Sequence, residues 1–246
     1  MWTENPCPRT LSLAKFDFSS DGALTTRPIE PLPTHCFSML LCGKPGSGKT
    51  SLLLNLVCRK SEYYNGVFDR VYLISPSQRT MSKDWFEELP EEQRFDEFTE
   101  ENLSQIISQV TGSEDKVLII LDDCQNDLKA NIRPLLRMQH NRRHICGGKG
   151  SVSVIITAQV MNKIPLPLRK SFTHIITFPF SSKREQMSVF EDYINLSKED
   201  WEGLCRTTFQ NPHDFMMVDL GHNKYYRNFS ELTNPEAQNF SGIEST

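Results

Sequence analysis

Short apolar runs along this chain alternate with longer stretches in which apolar and polar residues mix. The short runs are bounded by turn-forming residues and predict buried strands; they are FSMLLC (37–42), VYLIS (71–75), VLIIL (117–121), SVSVIIT (151–157) and THIITF (173–178). The longer stretches predict helices at 50–60, 102–110, 132–144, 183–194 and 197–209. Because strands and helices alternate, we predict an α/β fold with a mainly parallel central sheet and helices on both faces.

The two ends of the chain depart from this alternation. Prolines at positions 6, 8, 28, 31 and 33 disfavour a long helix, so we predict an extended N-terminal arm over residues 1–36. Near the other end, FMMVDL and KYYRNF flank Gly221-His222-Asn223 and predict a hairpin. The chain therefore divides into an arm (1–36), one domain (37–230) and a C-terminal tail (231–246).

A complete phosphate-binding loop, GKPGSGKT, joins the first predicted strand to the first predicted helix. The N–H groups of this Walker A motif and the N-terminus of the helix would cradle phosphates. Lys49 would contact the β- and γ-phosphates, and the Thr50 hydroxyl would bind Mg²⁺. We therefore expect a P-loop ATPase domain over 37–230, with ATP and Mg²⁺ as cofactors. The predicted nucleotide-binding residues are Gly43, Lys44, Pro45, Gly46, Ser47, Gly48, Lys49, Thr50 and Ser51.

Two acids and one amide follow later strands. Asp122 and Asp123 come directly after VLIIL, and an apolar strand tipped by acids is what a Mg²⁺ site opposite a P-loop requires. Asp122 would hold the metal, and Asp123 would orient or deprotonate the attacking water. Gln159 ends the strand that we expect between the P-loop strand and the acidic strand. Its amide would sense the γ-phosphate.

The composition is that of an ordinary soluble globular protein, with a net charge of −4 and 38% hydrophobic residues. The N-terminus lacks a basic segment followed by an apolar one, and no apolar run is long enough to span a bilayer. We therefore expect a protein that is not secreted and does not span a membrane. The seven scattered cysteines, without a CxxC motif, favour free thiols in a reducing compartment.

Charge is distributed unevenly along the chain. Acids crowd the segment 84–101, whereas the segment 129–170 contains no Asp or Glu and many Lys and Arg. Within the basic segment, Arg133, Arg137, His140 and His144 recur at helical spacing and would share one face. A basic face of this kind is either solvated or a site for a polyanion.

Several classes of P-loop protein fit less well. Small GTPases need an NKxD motif, and Asn162-Lys163-Ile164-Pro165 lacks the Asp. The LSGGQ-like signature of ABC transporters is not present in the sequence. Nucleotide kinases remain possible on size, although they rarely pair Asp-Asp with a later Gln at a strand tip.

The order of these motifs resembles that of the genome-packaging ATPases of poxviruses and other nucleocytoplasmic large DNA viruses. Related ATPases occur in virophages and Polinton-type elements, and all belong to the FtsK/HerA superfamily. The resemblance covers about residues 37–180 and rests on GKPGSGKT, VLIILDDCQNDL, NRRH, SVIITAQ and IPLPLRKSFTHIITF.

The resemblance implies a RecA-like ATPase that assembles as a homo-oligomeric ring and drives double-stranded DNA into a preformed capsid, without regard to DNA sequence. It implies catalytic roles for Asp123, Gln159 and an arginine finger, for which Arg143 and Arg169 are both candidates. It further implies a capsid or capsid-vertex protein as partner, and a location in the host cytoplasm or nucleus at the site of virion assembly, or in the virion. A DNA translocase outside packaging, a monomeric nucleotide kinase and a protein that binds ATP without hydrolysing it stay as alternatives.

Overall fold

The computed structural model describes residues 2–5, 30–59, 63–77, 86 and 89–234. Within these residues, ten strands form one sheet. They are β1 (Thr3–Asn5), β2 (Ser38–Cys42), β3 (Arg70–Ile74), β4 (Arg94–Phe95), β5 (Lys116–Leu121), β6 (Ser151–Ala158), β7 (His174–Thr177), β8 (Met216–Asp219), β9 (Lys224–Arg227) and β10 (Ser230–Thr233). Their order across the sheet is β1-β10-β9-β8-β7-β2-β6-β5-β3-β4.

The larger part of the sheet, β7-β2-β6-β5-β3-β4, is parallel. From β7 the sheet continues through β8, β9, β10 and β1 in antiparallel pairs. The predicted parallel sheet and the predicted hairpin (β8 and β9) are therefore confirmed. β6 lies between β2 and β5, as the motifs require. The pattern does not predict β1 or β4, because strands of 3 and 2 residues are too short to show a period, and it does not predict β10, whose sequence SELT has a single apolar residue.

Helices cover both faces of this sheet, as predicted. They are α1 (Lys49–Cys58), α2 (Glu100–Val110), α3 (Ile132–Asn141), α4 (Leu166–Arg169), α5 (Lys183–Tyr193) and α6 (Lys198–Thr208). Successive side chains of a strand point alternately into two apolar cores. In β2, Leu40 faces the core that α2, α3 and α6 share, whereas Met39 and Leu41 face the core under α1. Side chains two residues apart on a strand point to the same face, so Met39 and Leu41 both pack against α1, whereas Leu40 points to the other core.

Helix α3 is shorter than predicted and ends at Asn141 rather than His144. The chain leaves the helix because the Arg142 carbonyl accepts a hydrogen bond from the N–H of Val152, in β6, at 3.0 Å. The Arg142 side chain also donates to the carbonyl oxygens of Cys36 (3.2 Å) and Gln139 (2.7 Å). These contacts hold the turn after α3 against the amino ends of β2 and β6.

Both ends of the described chain join the far edge of the sheet. In the predicted arm, Thr3–Asn5 pairs with β10, which spans the predicted boundary between domain and tail. The arm residues 6–29 and the tail residues 235–246 lie outside the described residues. No helix in the described part of the chain is both long enough and apolar enough to cross a membrane. Six of the cysteines lie in this part, and none of them forms a disulfide bond there.

Candidate nucleotide site

The P-loop leaves the carboxyl end of β2 and enters α1. Its glycines are required by geometry: Gly46 has a φ of +75° and Gly48 a φ of +106°. A Cβ at Gly43 would lie 2.8 Å from both the Ser47 hydroxyl and the Phe178 Cβ. The N–H of Ser47 donates to the Lys44 carbonyl at 3.2 Å, which closes a tight turn before the helix begins. This loop presents backbone N–H groups at a helix N-terminus, the arrangement that binds phosphate.

Lys49 lies in the mouth of this loop. Its half-buried ammonium donates to the carbonyl oxygens of Gly43 at 2.6 Å and of Lys44 at 3.1 Å. Burial lowers the pKa of Lys49, while the charges of Asp123 and Asp122 act in the opposite direction. The amine therefore sits between the loop and the acidic pair, where a β- or γ-phosphate would meet it.

Asp122 follows β5 and is 5% exposed. Its N–H donates to the carbonyl of Ile74 at 2.9 Å, so the register between β3 and β5 fixes its position. The Thr157 hydroxyl donates to one carboxylate oxygen at 2.7 Å, and the Ser75 hydroxyl donates to the other at 3.3 Å. Burial raises the pKa of Asp122, and the two hydroxyl donors oppose that rise. A buried carboxylate beside Lys49, together with the exposed Thr50 hydroxyl, is a set of hard oxygen donors that fits Mg²⁺.

Asp123 is exposed and adopts a left-handed backbone with a φ of +55°, which Asp tolerates better than most residues. Its N–H donates to the Thr157 hydroxyl at 2.9 Å, and its carboxylate accepts from the Gln159 amide at 2.9 Å. The Gln159 backbone N–H in turn donates to the Gln125 side chain at 3.0 Å. Asp123 is thus held at the mouth of the site by two residues of β6 and its extension.

The structure brings together the loop, Lys49, Asp122, Asp123 and Gln159 at one edge of the sheet. Sequence reasoning missed three residues that position them, namely Ser75, Gln125 and Thr157. Thr157 carries a usable signal, because it lies two residues before Gln159 and so points to the same face of β6. The other β6 face is filled by apolar side chains such as Val154 and Ile156. Ser75 directly follows β3 and Gln125 lies in a turn, and neither belongs to a periodic pattern that marks it.

The two predicted arginines lie near the amino ends of the parallel strands, whereas the P-loop lies at their carboxyl ends. Arg143 is in the turn before β6, and Arg169 ends α4, just before β7. A strand the length of β2, five residues, spans about 16 Å, so neither side chain joins the P-loop cluster of its own chain. Arg169 donates to Asp192 at 2.6 Å and to the Ile164 carbonyl at 2.8 Å. Arg143 is exposed and forms no hydrogen bond or ion pair with any described residue.

The basic residues of α3 and the turn after it are also exposed, as a solvated face or a polyanion site requires; they are Arg133, Arg137, His140 and His144. Arg133, Arg137 and His144 line a groove of about 860 Å³ against α2. One acid, Glu100, lies in the same groove.

The family model described as poxvirus A32 protein matches residues 28–202, which is more than half of the chain. The chain belongs to the poxvirus A32 protein family. Among curated protein sequences, no relative matches it. Membership in the A32 family confirms the resemblance that the motif order indicated.

Solved structures share the fold of this A32-family chain. The DNA-packaging ATPase B204 of Sulfolobus turreted icosahedral virus is 12% identical, with a TM-score of 0.57 over 79% of this chain and 98% of that chain. The genome-packaging NTPase B204 of Sulfolobus turreted icosahedral virus 2, in complex with AMPPCP, is 13% identical, with a TM-score of 0.54 over 78% and 96%. The pCW3 conjugation coupling protein TcpA, with ATPγS, is 10% identical, with a TM-score of 0.54 over 80% and 60%. At these identities the likeness confirms the P-loop NTPase fold alone.

Proposed function

We propose that this protein is an ATP-hydrolysing motor that moves double-stranded DNA into a preformed capsid. The observation that carries the proposal is the joint placement of Lys49, Asp122, Asp123 and Gln159 beside a P-loop, in a chain of the poxvirus A32 family. The solved genome-packaging ATPases with the same fold support it. We expect the protein to act at the site of virion assembly, with a capsid or capsid-vertex protein as partner.

Each residue of the cluster has a distinct part in hydrolysis. The loop N–H groups and Lys49 hold the phosphates, and Thr50 and Asp122 would hold Mg²⁺, which neutralises charge on the phosphate oxygens when it is bound. Asp123 orients the attacking water and accepts its proton. Gln159, through its 2.9 Å hydrogen bond, fixes the Asp123 carboxylate that faces the γ-phosphate.

The described residues of one chain place no arginine in the P-loop cluster, so the cation for the transition state comes from a neighbour in a ring. Of the two candidates we propose Arg143, because it is exposed and without a partner among the described residues. Arg169 is already paired with Asp192, and its side chain is 16% exposed. In this account Arg169 stabilises the segment between β6 and β7 rather than reaching a second chain.

The exposed basic face of α3 is the proposed contact for duplex DNA. A motor that moves along any sequence must hold phosphates rather than base edges. Arg133 and Arg137, one turn apart and both exposed, are suited to phosphate oxygens in this way. DNA affinity should therefore depend steeply on salt and little on sequence.

The proposal is tested by the ATPase rate per protomer, measured against protein concentration with and without linear duplex DNA. A ring motor gives a rate that rises with both, and Lys49→Ala gives none under any condition. A monomeric kinase gives a rate per protomer that depends neither on protein concentration nor on duplex DNA. A protein that only binds ATP gives no turnover. Either of the last two results would contradict the proposed function.

The shared site is tested with a matched pair of arginine variants. Arg143→Ala should reduce hydrolysis by about 10³–10⁵-fold while ATP binding and folding are kept. Arg169→Ala should instead lower thermal stability and retain more activity. Mixing Lys49→Ala with Arg143→Ala should restore part of the activity, because some interfaces then pair an intact P-loop with an intact Arg143. Full activity of Arg143→Ala alone would show that this residue is not the finger.

A further inference from the structure

A loop far along the chain lies against the P-loop on the side away from the acidic pair. The loop, residues 210–215, precedes β8, and its His213 Nδ1 lies 3.2 Å from the Ser47 carbonyl oxygen. Because a carbonyl oxygen only accepts, Nδ1 is the donor in this bond, and the imidazole ring is thereby fixed beside the start of α1. A Cβ at Gly48 would lie 3.7 Å from the same nitrogen. No motif of the sequence pointed to this loop.

The strand order determines which part of a nucleotide reaches this loop. β2 lies between β6 and β7, and Asp122, Asp123 and Gln159 all lie on the β6 side. A γ-phosphate must face that side, where the water is activated. The α-phosphate and the nucleoside then leave the P-loop in the other direction, toward β7 and β8, where Phe178 and the 210–215 loop lie.

A cleft of about 390 Å³ occupies this position. It is lined by P-loop and α1 residues together with Phe178, His213 and Phe215. A second hollow of about 300 Å³ adjoins it and shares His213 and Phe215. The rings of Phe178 and Phe215 are buried, with centroids 5.8 Å apart, so they form a floor, whereas His213 is exposed and forms a wall.

Asp214 makes the loop rigid. Its buried carboxylate accepts hydrogen bonds from the N–H groups of Gln210 (3.1 Å) and Asn211 (2.7 Å). It also accepts from the side chains of Asn211, Arg227 and Asn228, at 3.2, 3.1 and 2.7 Å. The side-chain amide nitrogens of Asn211 and Asn228, which line the second hollow, are therefore committed to Asp214. The side chains that line the cleft and the second hollow therefore offer a ligand mainly the surface of their aromatic rings.

We propose that the 210–215 loop is the subsite for the base and ribose of the bound nucleotide, with the His213 ring as the stacking surface. The subsite selects nucleotides by stacked ring area rather than by hydrogen bonds to the base edge. This inference rests on the proposed function, because it assumes that the P-loop holds a nucleoside triphosphate. Stacking on a fixed ring tolerates any purine, since every base has a π-face.

The test compares one probe that carries a nucleoside with one that carries none. ATPγS occupies the P-loop and the subsite, whereas inorganic tripolyphosphate occupies the P-loop alone. Binding of each, with Mg²⁺, is measured by calorimetry for the full chain. His213→Ala should weaken ATPγS binding about 5- to 150-fold and leave tripolyphosphate binding unchanged. GTPγS should bind the unaltered chain within about tenfold of ATPγS, since both purines offer similar ring area.

Two further variants separate stacking from the hydrogen bond to Ser47. His213→Phe keeps a ring and loses the donor, and it should bind ATPγS nearly as well as the unaltered chain. His213→Asn keeps a donor and loses the ring, and it should resemble His213→Ala. Three results would each overturn the subsite. The first is the opposite ranking of His213→Phe and His213→Asn. The others are equal weakening of tripolyphosphate and ATPγS by His213→Ala, and ATPγS binding that His213→Ala leaves unchanged. Lys49→Ala should lose both probes; if the unaltered chain binds neither, the proposed function fails and the subsite with it.

Discussion

Thr157 is the residue whose removal should reveal most about the acidic pair. Its hydroxyl donates to the Asp122 carboxylate at 2.7 Å and accepts from the Asp123 N–H at 2.9 Å. Thr157→Val deletes both bonds and keeps the shape of a β-branched side chain. A hydrogen bond to a charged group contributes about 1.5–3 kcal/mol, and Asp122 is buried enough for this range to apply. The loss corresponds to about 10- to 150-fold in an equilibrium that needs the ionised carboxylate.

The sign of the pH effect follows from the pKa of Asp122. Burial already raises that pKa and the Thr157 hydroxyl lowers it, so Thr157→Val raises it further. The ionised form then destabilises the folded state more, and the stability difference between variant and wild type should grow as pH rises. The same difference should shrink as pH falls and Asp122 becomes protonated in both proteins.

The assay is the ATPase rate against Mg²⁺ concentration at several pH values. At pH values where Asp122 is ionised in the wild type and protonated in the variant, Thr157→Val should need at least about tenfold more Mg²⁺ for half-maximal rate. The acid limb of its pH profile should move to higher pH. Thr157→Ser, which keeps the hydroxyl, is the matched control and should resemble the wild type. A Thr157→Val protein with unchanged Mg²⁺ dependence and an unchanged pH profile would refute the role given to this hydroxyl.

Three more predictions follow from named contacts. Lys49→Ala should abolish nucleotide binding or turnover. Asp123→Asn, whose Asn tolerates the left-handed backbone, should still bind ATP but hydrolyse it about 10²–10⁴-fold more slowly. Hydrolysis by Asp123→Asn at the wild-type rate would contradict the role of this carboxylate. Burial alone would raise the pKa of Asp214, but hydrogen bonds from Asn228 and Asn211 and the charge of Arg227 lower it below its usual value. The ionised carboxylate therefore stabilises the folded state at pH values above the pKa of Asp214 in the unfolded chain. This stabilisation is lost as pH falls through the pKa in the folded state. Asp214→Asn should therefore cost about 3–5 kcal/mol of unfolding free energy at pH 7 and progressively less in acid; a pH-independent difference would contradict this. Reversing the charges of Arg133 and Arg137 together should weaken all duplexes alike and reduce the slope of log affinity against log salt by about two, whereas a sequence preference that survives high salt would contradict the phosphate contact.

The residues that the sequence predicts correctly are those that a local pattern places. The P-loop, Asp122, Asp123 and Gln159 each follow an apolar run directly, and parallel strands bring their carboxyl ends to one edge. Thr157 is visible only when the alternation of β6 is followed to its last residues. The strand order determines which residues lie beside Thr157 in the site.

Residues placed by long-range contacts leave no such trace. His213 meets Ser47 across 166 positions of the chain, and neither residue has a periodic context that links them. Arg169 could not be separated from Arg143 by sequence, since the distinction depends on Asp192, which a different helix supplies. The end of α3 depends in the same way on Val152 and Cys36, which lie on other segments.

Movement along duplex DNA is the central claim, and displacement of a third strand measures it directly. A labelled oligonucleotide bound as a triplex at one end of a linear duplex is released only by a protein that travels along the duplex. We predict ATP-dependent release with any intervening sequence, and none with Lys49→Ala or Asp123→Asn. Hydrolysis that duplex DNA stimulates without any release of the third strand would contradict it.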